Sequence, residues 1–524
     1  MPISGTPRKI RSISFLPVGY DMLNSRIIGN IFSGWANIIV TCAIAFFVSP
    51  FVVSSLGKDL YGVWILIVSI TGYFSVLDFG VNTAIVRYIS SSTAQNNHDK
   101  ARAVYSTSMA IFGCVSLAIV LFSLVIGYFF QDLFKLYNIP RTYLYAVFML
   151  SALDLACSLL FSVYSGSLAG LQEFKFINAS TILINIIKSI LLVVLLKLGY
   201  SLLIMALLQL LASCLMALSQ YIKMKSNYGF IQFSTQTINK SSLKMIYDYS
   251  VYSFIIAVAL KLLFYTDSVV IGAFINVSEI VFYAIPASLL NYLEKFIWAI
   301  VAVLVPVISA NEANGNDNGN AKFYIIGTRY ILLVSMPFLI SLFFFGQDFI
   351  RIWMGKEIGD HSGMVLKLLL IGFGFSFSQL LANGILKGIS KHKILAYILI
   401  VEAAANLVMS ILLVKPYGVT GVAVGTLVPL VVATITIIIF TCRLLELNFF
   451  KYFYQAYSGP LFGTVAAVAF VYLNPFGSGS YLAIFGSSAC VTLCFLIAAL
   501  PVTLEKDHIK IITDKAYKMV FEPV

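Results

Sequence analysis

What most constrains this chain is a succession of uninterrupted apolar stretches, each about 18 to 30 residues long, separated by short polar turns. A bilayer core of about 30 Å is crossed by a helix of about 20 apolar residues, whereas a membrane β-strand reads as about ten residues of alternating polarity. Continuous runs of this length predict helices, which satisfy their own backbone polar groups inside hydrocarbon. Composition agrees: 60% of the 524 residues are hydrophobic and 11% charged, with a mean hydropathy of +0.95. A water-soluble fold could not hide that much apolar surface.

The reading is an all-α integral membrane protein with about fourteen spans, near 27–54, 60–89, 103–130, 142–169, 177–197, 200–222, 248–275, 279–309, 323–346, 363–386, 393–414, 418–442, 456–474 and 480–503. Basic residues set the orientation, because Lys and Arg accumulate in cytoplasmic loops. With the N-terminus inside, about 22 of the 34 basic residues fall on the cytoplasmic side and about eight on the other, so both termini are expected inside. The net charge of +12 is then largely a topology signal, and no nucleic-acid partner is expected. Residues 1–26 read as an uncleaved cytoplasmic tail, and 504–524 as a second one. The connection 223–247 and the low-complexity turn Asn311–Asn320 are the longest polar segments. Neither is large enough to fold alone, so any function must be built from the helices.

The seven cysteines, Cys42, Cys114, Cys157, Cys214, Cys442, Cys490 and Cys494, fall inside spans without metal or redox spacing. The four histidines, His98, His361, His392 and His508, form no ligand pair. No metal site, nucleophile triad or phosphate-cradling loop is expected, and the chain does not read as an enzyme.

Two stretches resemble each other at an offset of about 220 residues: Leu56–Trp64 leading to Ser90, and Ile275–Tyr283 leading to Ser309. Each makes a short turn with an acidic residue, presents aromatics and re-enters the membrane. Transporters are often assembled from such related helix sets. The offset predicts an N-lobe over 27–222, a linker over 223–247, a C-lobe over 248–445, and two further helices over 446–503.

Pro50-Phe-Val-Val-Ser-Ser-Leu-Gly-Lys-Asp-Leu-Tyr-Gly-Val-Trp64, followed by Leu77-Asp-Phe-Gly-Val-Asn-Thr-Ala-Ile-Val-Arg87, resembles the opening of Wzx-type polysaccharide flippases. Asp267-Ser-Val-Val-Ile-Gly-Ala-Phe274 with Tyr283 resembles the junction of the seventh and eighth helices in the same superfamily, the multidrug/oligosaccharidyl-lipid/polysaccharide exporters. The resemblance implies two six-helix lobes around a central cavity, plus two extra C-terminal helices, alternating between inward-open and outward-open states. It implies a bacterial inner-membrane protein that moves an undecaprenyl-pyrophosphate-linked oligosaccharide, for O-antigen or capsule, to the periplasmic leaflet. A glycan polymerase and a chain-length regulator are the protein partners it implies. Ser25-Arg-Ile-Ile-Gly29 is similar to a first-helix motif of lipid II flippases, which implies a cavity role for Arg26; Ser33 stands where that motif has a second arginine.

An anionic head and a polar glycan need a wet, preferably cationic cleft, and ionisable residues within spans tend to border one or to pair with each other. Those residues are Asp78, Arg87, Asp154, Lys188, Lys261, Asp267, Glu294, Lys295 and Glu402. Arg26, Arg87, Lys188, Lys261 and Lys295 are the candidate substrate-binding cations, with snorkelling to lipid phosphate the competing role for Arg87. Asp78 and Asp267 are candidates for H+ or Na+ coupling, and no other cofactor is expected. For Asp78 the competing role is a helix cap or hinge at Asp-Phe-Gly; for Asp267 it is pairing with a basic residue of another span. Lys261 and Asp267, six residues apart, are separated by about 240° around one helix and are not expected to face each other. Two alternatives share the composition: a multidrug exporter, whose cavity should carry more acidic than basic residues, and a membrane glycan polymerase or ligase, which should carry a sizeable catalytic outer loop.

Overall fold

A computed structural model describes residues 20–313, 317–388, 391–473 and 477–503, with some stretches, including 21–28 and 302–313, described by backbone alone. Thirteen α-helices and two short 3-10 turns make up the described residues, without a strand. They are α1 (Tyr20–Phe74), α2 (Val81–Ala94), α3 (His98–Leu133), α4 (Arg141–Gly170), α5 (Phe174–Lys197), α6 (Leu202–Asn227), α7 (Lys240–Phe274), α8 (Ile280–Ala313), α9 (Asp317–Met354), α10 (Lys356–Gly388), α11 (His392–Leu444), α12 (Phe449–Leu473) and α13 (Tyr481–Thr503). Twelve helical segments are long and apolar enough to cross a membrane, and two of them, of 47 and 52 residues, are double length.

The double-length helices are hairpins. α1 leaves helical geometry at Gly57 (φ 72°) and α11 at Gly418 (φ 59°), a left-handed backbone that suits residues without a Cβ. In α11 the arms lie close together: a Cβ built at Gly425 would fall 2.7 Å from the Ser410 backbone nitrogen. With each hairpin crossing twice, the described chain makes fourteen crossings, and Tyr20 and Thr503 lie at the same end of the bundle. The other end carries Gly57, Gly355 and Gly418, and is called the Gly57 end below.

The second crossing is itself broken. A 3-10 turn, Ser75–Asp78, is followed by Phe79 (φ 48°) and Gly80 (φ 73°) before α2 begins. Asp78 accepts the Asn82 backbone N–H at 3.3 Å, so its carboxylate caps the restarted helix. The segment between α6 and α7 is shorter than the apolar pattern suggests, because α7 starts at Lys240. Part of that segment is tied to α3: Arg102 Nε donates to Phe230 O at 3.2 Å and the Ser234 N–H to Ser106 Oγ at 3.1 Å. The tails 1–19 and 504–524, for which the sequence predicts polar cytoplasmic segments, and residues 314–316 lie outside the described residues; the rest of the Asn311–Asn320 stretch, expected as a polar turn, is backbone of the helical ends of α8 and α9.

Helices α1 to α6 pack mainly on one another, as do α7 to α11, while α12 and α13 pack together against α9. Arg329 of α9 fastens that last pair, donating to Gln455 O and Thr503 O at 2.9 Å each. The two larger sets meet where α1 and α2 lie against α7, α8 and α9. At the Gly57 end the junction is closed by Lys58 Nζ and Glu357 Oε1 at 2.5 Å. Trp353 adds a hydrogen bond from its indole to Phe46 O at 2.8 Å and a stack on the Phe46 ring at 5.6 Å. Gly62 sits so close to the α7–α8 turn that a Cβ there would fall 2.1 Å from Val277 O. The two repeat-like turns therefore touch.

Candidate functional site

Three side-chain stripes build the main polar space. On α8, Ala287, Asn291, Glu294 and Trp298 recur at helical spacing, and on α10 Phe373, Ser376, Gln379 and Asn383 do the same. The third stripe, Glu402, Asn406 and Ser410, recurs every four residues along the first arm of α11, with Glu402 on the cavity wall and Asn406 and Ser410 against Asp267. With Asp267 of α7, Tyr283 of α8 and Thr426 of the second α11 arm, these helices surround a cavity of 520 Å3, within the usual range for ligand pockets.

Asp267 is its buried focus, 2% exposed. Tyr283 donates its hydroxyl to Oδ2. Thr426 Oγ1 reaches the same oxygen at 2.9 Å, while Ser410 Oγ and Asn406 Nδ2 approach Oδ1 at 3.3 and 3.5 Å. Thr426 is the hub of this cluster, since Tyr283 OH and Asn406 Nδ2 each lie 3.1 Å from its hydroxyl. The ion pair considered for Asp267 is not what surrounds it: its partners are neutral donors from α8 and both arms of α11. Among the described residues lining the cavity there is no Lys, Arg or His, against three carboxylates, Asp267, Glu294 and Glu402. Glu294 is hydrogen-bonded to Trp298 one turn on.

The opposite face of α8 is different. Leu289, Tyr292, Leu293 and Phe296 line a second cavity of 550 Å3, together with Ile38 and Ile39 of α1, Phe338 and Phe345 of α9, and Ile484 and Phe485 of α13. One helix thus divides a chamber that sets three carboxylates, amides and hydroxyls among leucines and phenylalanines from a more apolar groove that lies where the two large helix sets meet.

The cations expected to serve a substrate do not gather in one place. Lys188 of α5 lines two clefts of 250 and 310 Å3 on the α1–α6 side, where it donates to Gln209 Oε1 at 2.9 Å. Asp154 lies within electrostatic range of it and accepts from Ser213 at 2.5 Å. Lys261 does not line the acidic chamber; its ammonium lies 5.5 Å from the Tyr265 ring and within electrostatic range of Asp78, across the junction between α7 and the break before α2. As the 240° separation predicts, it faces away from Asp267. Lys295 is exposed on α8 with its ammonium 5.7 Å from the Tyr292 ring, and Arg87 is exposed on α2, 5.8 Å from the Tyr88 ring. The Arg26 side chain lies outside the described residues. Asp78 caps α2 and belongs to the junction, apart from the Asp267 cluster.

Sequence reasoning singled out Asp267 and Tyr283 but not Asn406, Ser410 or Thr426. The signal was present: Glu402, Asn406 and Ser410 form a polar line four residues apart in an otherwise apolar arm, a pattern that marks one helix face.

A family profile described as "Polysaccharide biosynthesis protein" matches residues 27–312, more than half of the chain. The chain belongs to this family. A Shigella flexneri protein that carries the description of an O-antigen transporter is 21% identical over 382 residues, covering 72% of this chain and 88% of that protein. An uncharacterized membrane protein of Methanocaldococcus jannaschii is 22% identical over 403 residues, 73% of this chain and 78% of its own length. Among solved structures, an inward-facing multidrug resistance MATE transporter of the MOP superfamily superposes with a TM-score of 0.66 at 14% identity, covering 78% of this chain and 98% of that one. The lipid II flippase MurJ, in an inward closed conformation, superposes with 0.65 at 15% identity, over 90% and 98%. These likenesses show that the fold is the one shared by the MATE transporter and MurJ structures.

Proposed function

We propose that this chain is a flippase that turns an undecaprenyl-pyrophosphate-linked oligosaccharide from the cytoplasmic to the periplasmic leaflet of a bacterial inner membrane, with both termini cytoplasmic. The observation that carries the reading is the two-faced α8. A lipid-linked glycan is half hydrocarbon and half polar head, and α8 offers an apolar groove on one face and a polar chamber on the other. The polyprenyl chain keeps to the groove while the sugars cross through the polar space, so neither half meets the wrong solvent. The basic-residue count puts the Gly57 end outside, and Lys58–Glu357 and Trp353–Phe46 then form an outer gate that is shut here. Two lobes, α1–α6 and α7–α11, rock about the α1/α2 junction, and opening that gate is the other half of the cycle.

Asp267 is the coupling group in this reading. Its carboxylate, the Ser410 and Thr426 hydroxyls and the Asn406 side-chain oxygen, which is buried with no partner, are the oxygen donors that suit Na+, and a proton on Asp267 is the alternative load. Because those oxygens come from α7 and both arms of α11, loading draws three crossings together. The pyrophosphate is served by cations, Lys188 on the α1–α6 side and Lys261 at the junction.

The test is reconstitution. In vesicles holding a fluorescent undecaprenyl-pyrophosphate glycan, an impermeant oxidant of sugar diols should reach all of the lipid when the protein is present and only the outer half without it. A second reading, export of an organic cation, is favoured by the acidic lining; ethidium efflux from the same vesicles with no glycan movement would select it.

A further inference from the structure

The chamber holds a second set of oxygen acceptors that the Asp267 cluster does not use. Glu402 is 4% exposed, Gln379 6% and Asn383 8%, and Glu402 Oε2, Gln379 Oε1 and Asn383 Oδ1 are each buried without a hydrogen-bond partner. All three residues line the 520 Å3 cavity. Gln379 and Asn383 are one turn apart on α10, and Ser376 extends the same face by another turn. Glu402 lies one turn before Asn406 on the facing arm of α11, about 6 Å along the helix axis.

Buried polar groups are normally satisfied, and a buried carboxylate with no donor is costlier still. Three acceptors lining one wall, with no basic side chain in the lining, call for a ligand that is all donor. An anion is excluded by the three carboxylates, and a neutral hydroxyl compound would leave the Glu402 charge uncompensated. A small monovalent cation meets both conditions, whether as Na+ held by the three oxygens or as a proton on Glu402 shared with an amide oxygen. The charged and titratable groups facing this wall are Asp267 from α7 and Tyr283 and Glu294 from α8; α10 and the second α11 arm bring none.

We propose that Glu402, Gln379 and Asn383 form a second monovalent-cation site, so that the chamber loads two cations per cycle, one here and one at Asp267. The proposal rests on reading the chamber as the coupling compartment. Loading the Asp267 site fastens the α11 arms to α7, whereas loading this one fastens the first α11 arm to α10. Together the two cations bind four crossings around the chamber.

The experiment is cation counting on the purified full chain in lipid nanodiscs. One arm titrates NaCl, with choline chloride as the balancing salt, and reads the number of Na+ bound by calorimetry. The other arm is Na+-free and counts protons taken up across the neutral range. Wild type should load two cations within a single arm, and Glu402→Gln should load one fewer in that arm. Asn383→Ala, which leaves Glu402 in place, should weaken the same site about tenfold, and it reads the site even where Glu402→Gln assembles poorly. A single cation in wild type, or an unchanged count in Glu402→Gln, overturns the proposal. Asp267→Asn separates the two readings: if it leaves the count intact while Glu402→Gln lowers it, the Asp267 assignment fails and the Glu402 site stands.

Discussion

Replacing Thr426 with valine removes the hub of the Asp267 cluster while keeping the shape of the side chain. The Thr426 hydroxyl lies 2.9 Å from Asp267 Oδ2, and Tyr283 OH and Asn406 Nδ2 lie 3.1 Å from it. A hydrogen bond to a charged group contributes about 1.5–3 kcal/mol. Tyr283 keeps its own bond to Asp267, but Asn406 Nδ2 is left only with contacts of 3.5 Å to Asp267 and Gly425 O. Thr426→Val should therefore destabilise the chain by about 2–3 kcal/mol. It should also weaken Na+ binding at Asp267 by tenfold or more, since ~1.4 kcal/mol is a factor of ten. Thr426→Ser keeps the hydroxyl and loses one methyl, so its cost should stay near ~0.8 kcal/mol, with cation affinity intact. Both quantities are accessible in mixed micelles, stability from reversible denaturation and affinity from calorimetric titration. If Thr426→Val matches wild type within ~0.5 kcal/mol and binds the cation as well, the convergence on Asp267 does not hold the chamber together.

Three further outcomes follow from the junction and the groove. Gly62→Ala places a Cβ against the Val277 carbonyl, which is backbone and cannot swing aside, so it should cost about 1–3 kcal/mol in the same denaturation assay; an unchanged midpoint would mean the two turns do not pack. Joining positions 58 and 357 with a short bis-maleimide, in Lys58→Cys/Glu357→Cys built on a background lacking the seven native cysteines, should stop transport in vesicles; full activity after cross-linking would exclude opening of the Gly57 end from the cycle. Leu293→Glu puts a charge on the apolar face of α8 and should slow movement of the polyprenyl-linked glycan while leaving the cation count unchanged; equal loss of both would mean that α8 does not separate two compartments.

Much of the architecture is legible because the bilayer imposes it. The apolar runs place the crossings, and the breaks read near 54–60 and 414–418 coincide with the turns at Gly57 and Gly418, where only a residue without a Cβ adopts the backbone at ease. Asp78-Phe-Gly80 reads as a cap or hinge and is one. The site is harder to read. A crossing that is apolar all round carries no stripe to say which face meets which neighbour. Lys188, Lys261 and Asp267 therefore look alike in sequence, although Asp267 closes a donor cluster, Lys261 faces the junction and Lys188 borders clefts on the α1–α6 side. Asn406, Ser410 and Thr426 escape a search for charges because their part is to donate to one. The partition of α8 escapes it too, since Leu293 and Glu294 are neighbours in sequence and open onto different spaces.

That partition is the centre of the account, and photo-cross-linking in vesicles tests it most directly. Two versions of the lipid-linked glycan are needed, one with a diazirine in the polyprenyl chain and one with it on a sugar, and the labelled peptides are mapped by mass spectrometry. The tail probe should label α1, α9, α13 and the Leu289–Phe296 face of α8, and the sugar probe should label α10, α11 and the Asn291–Trp298 face. Tail label in the α10–α11 chamber, or the same peptides from both probes, would contradict it.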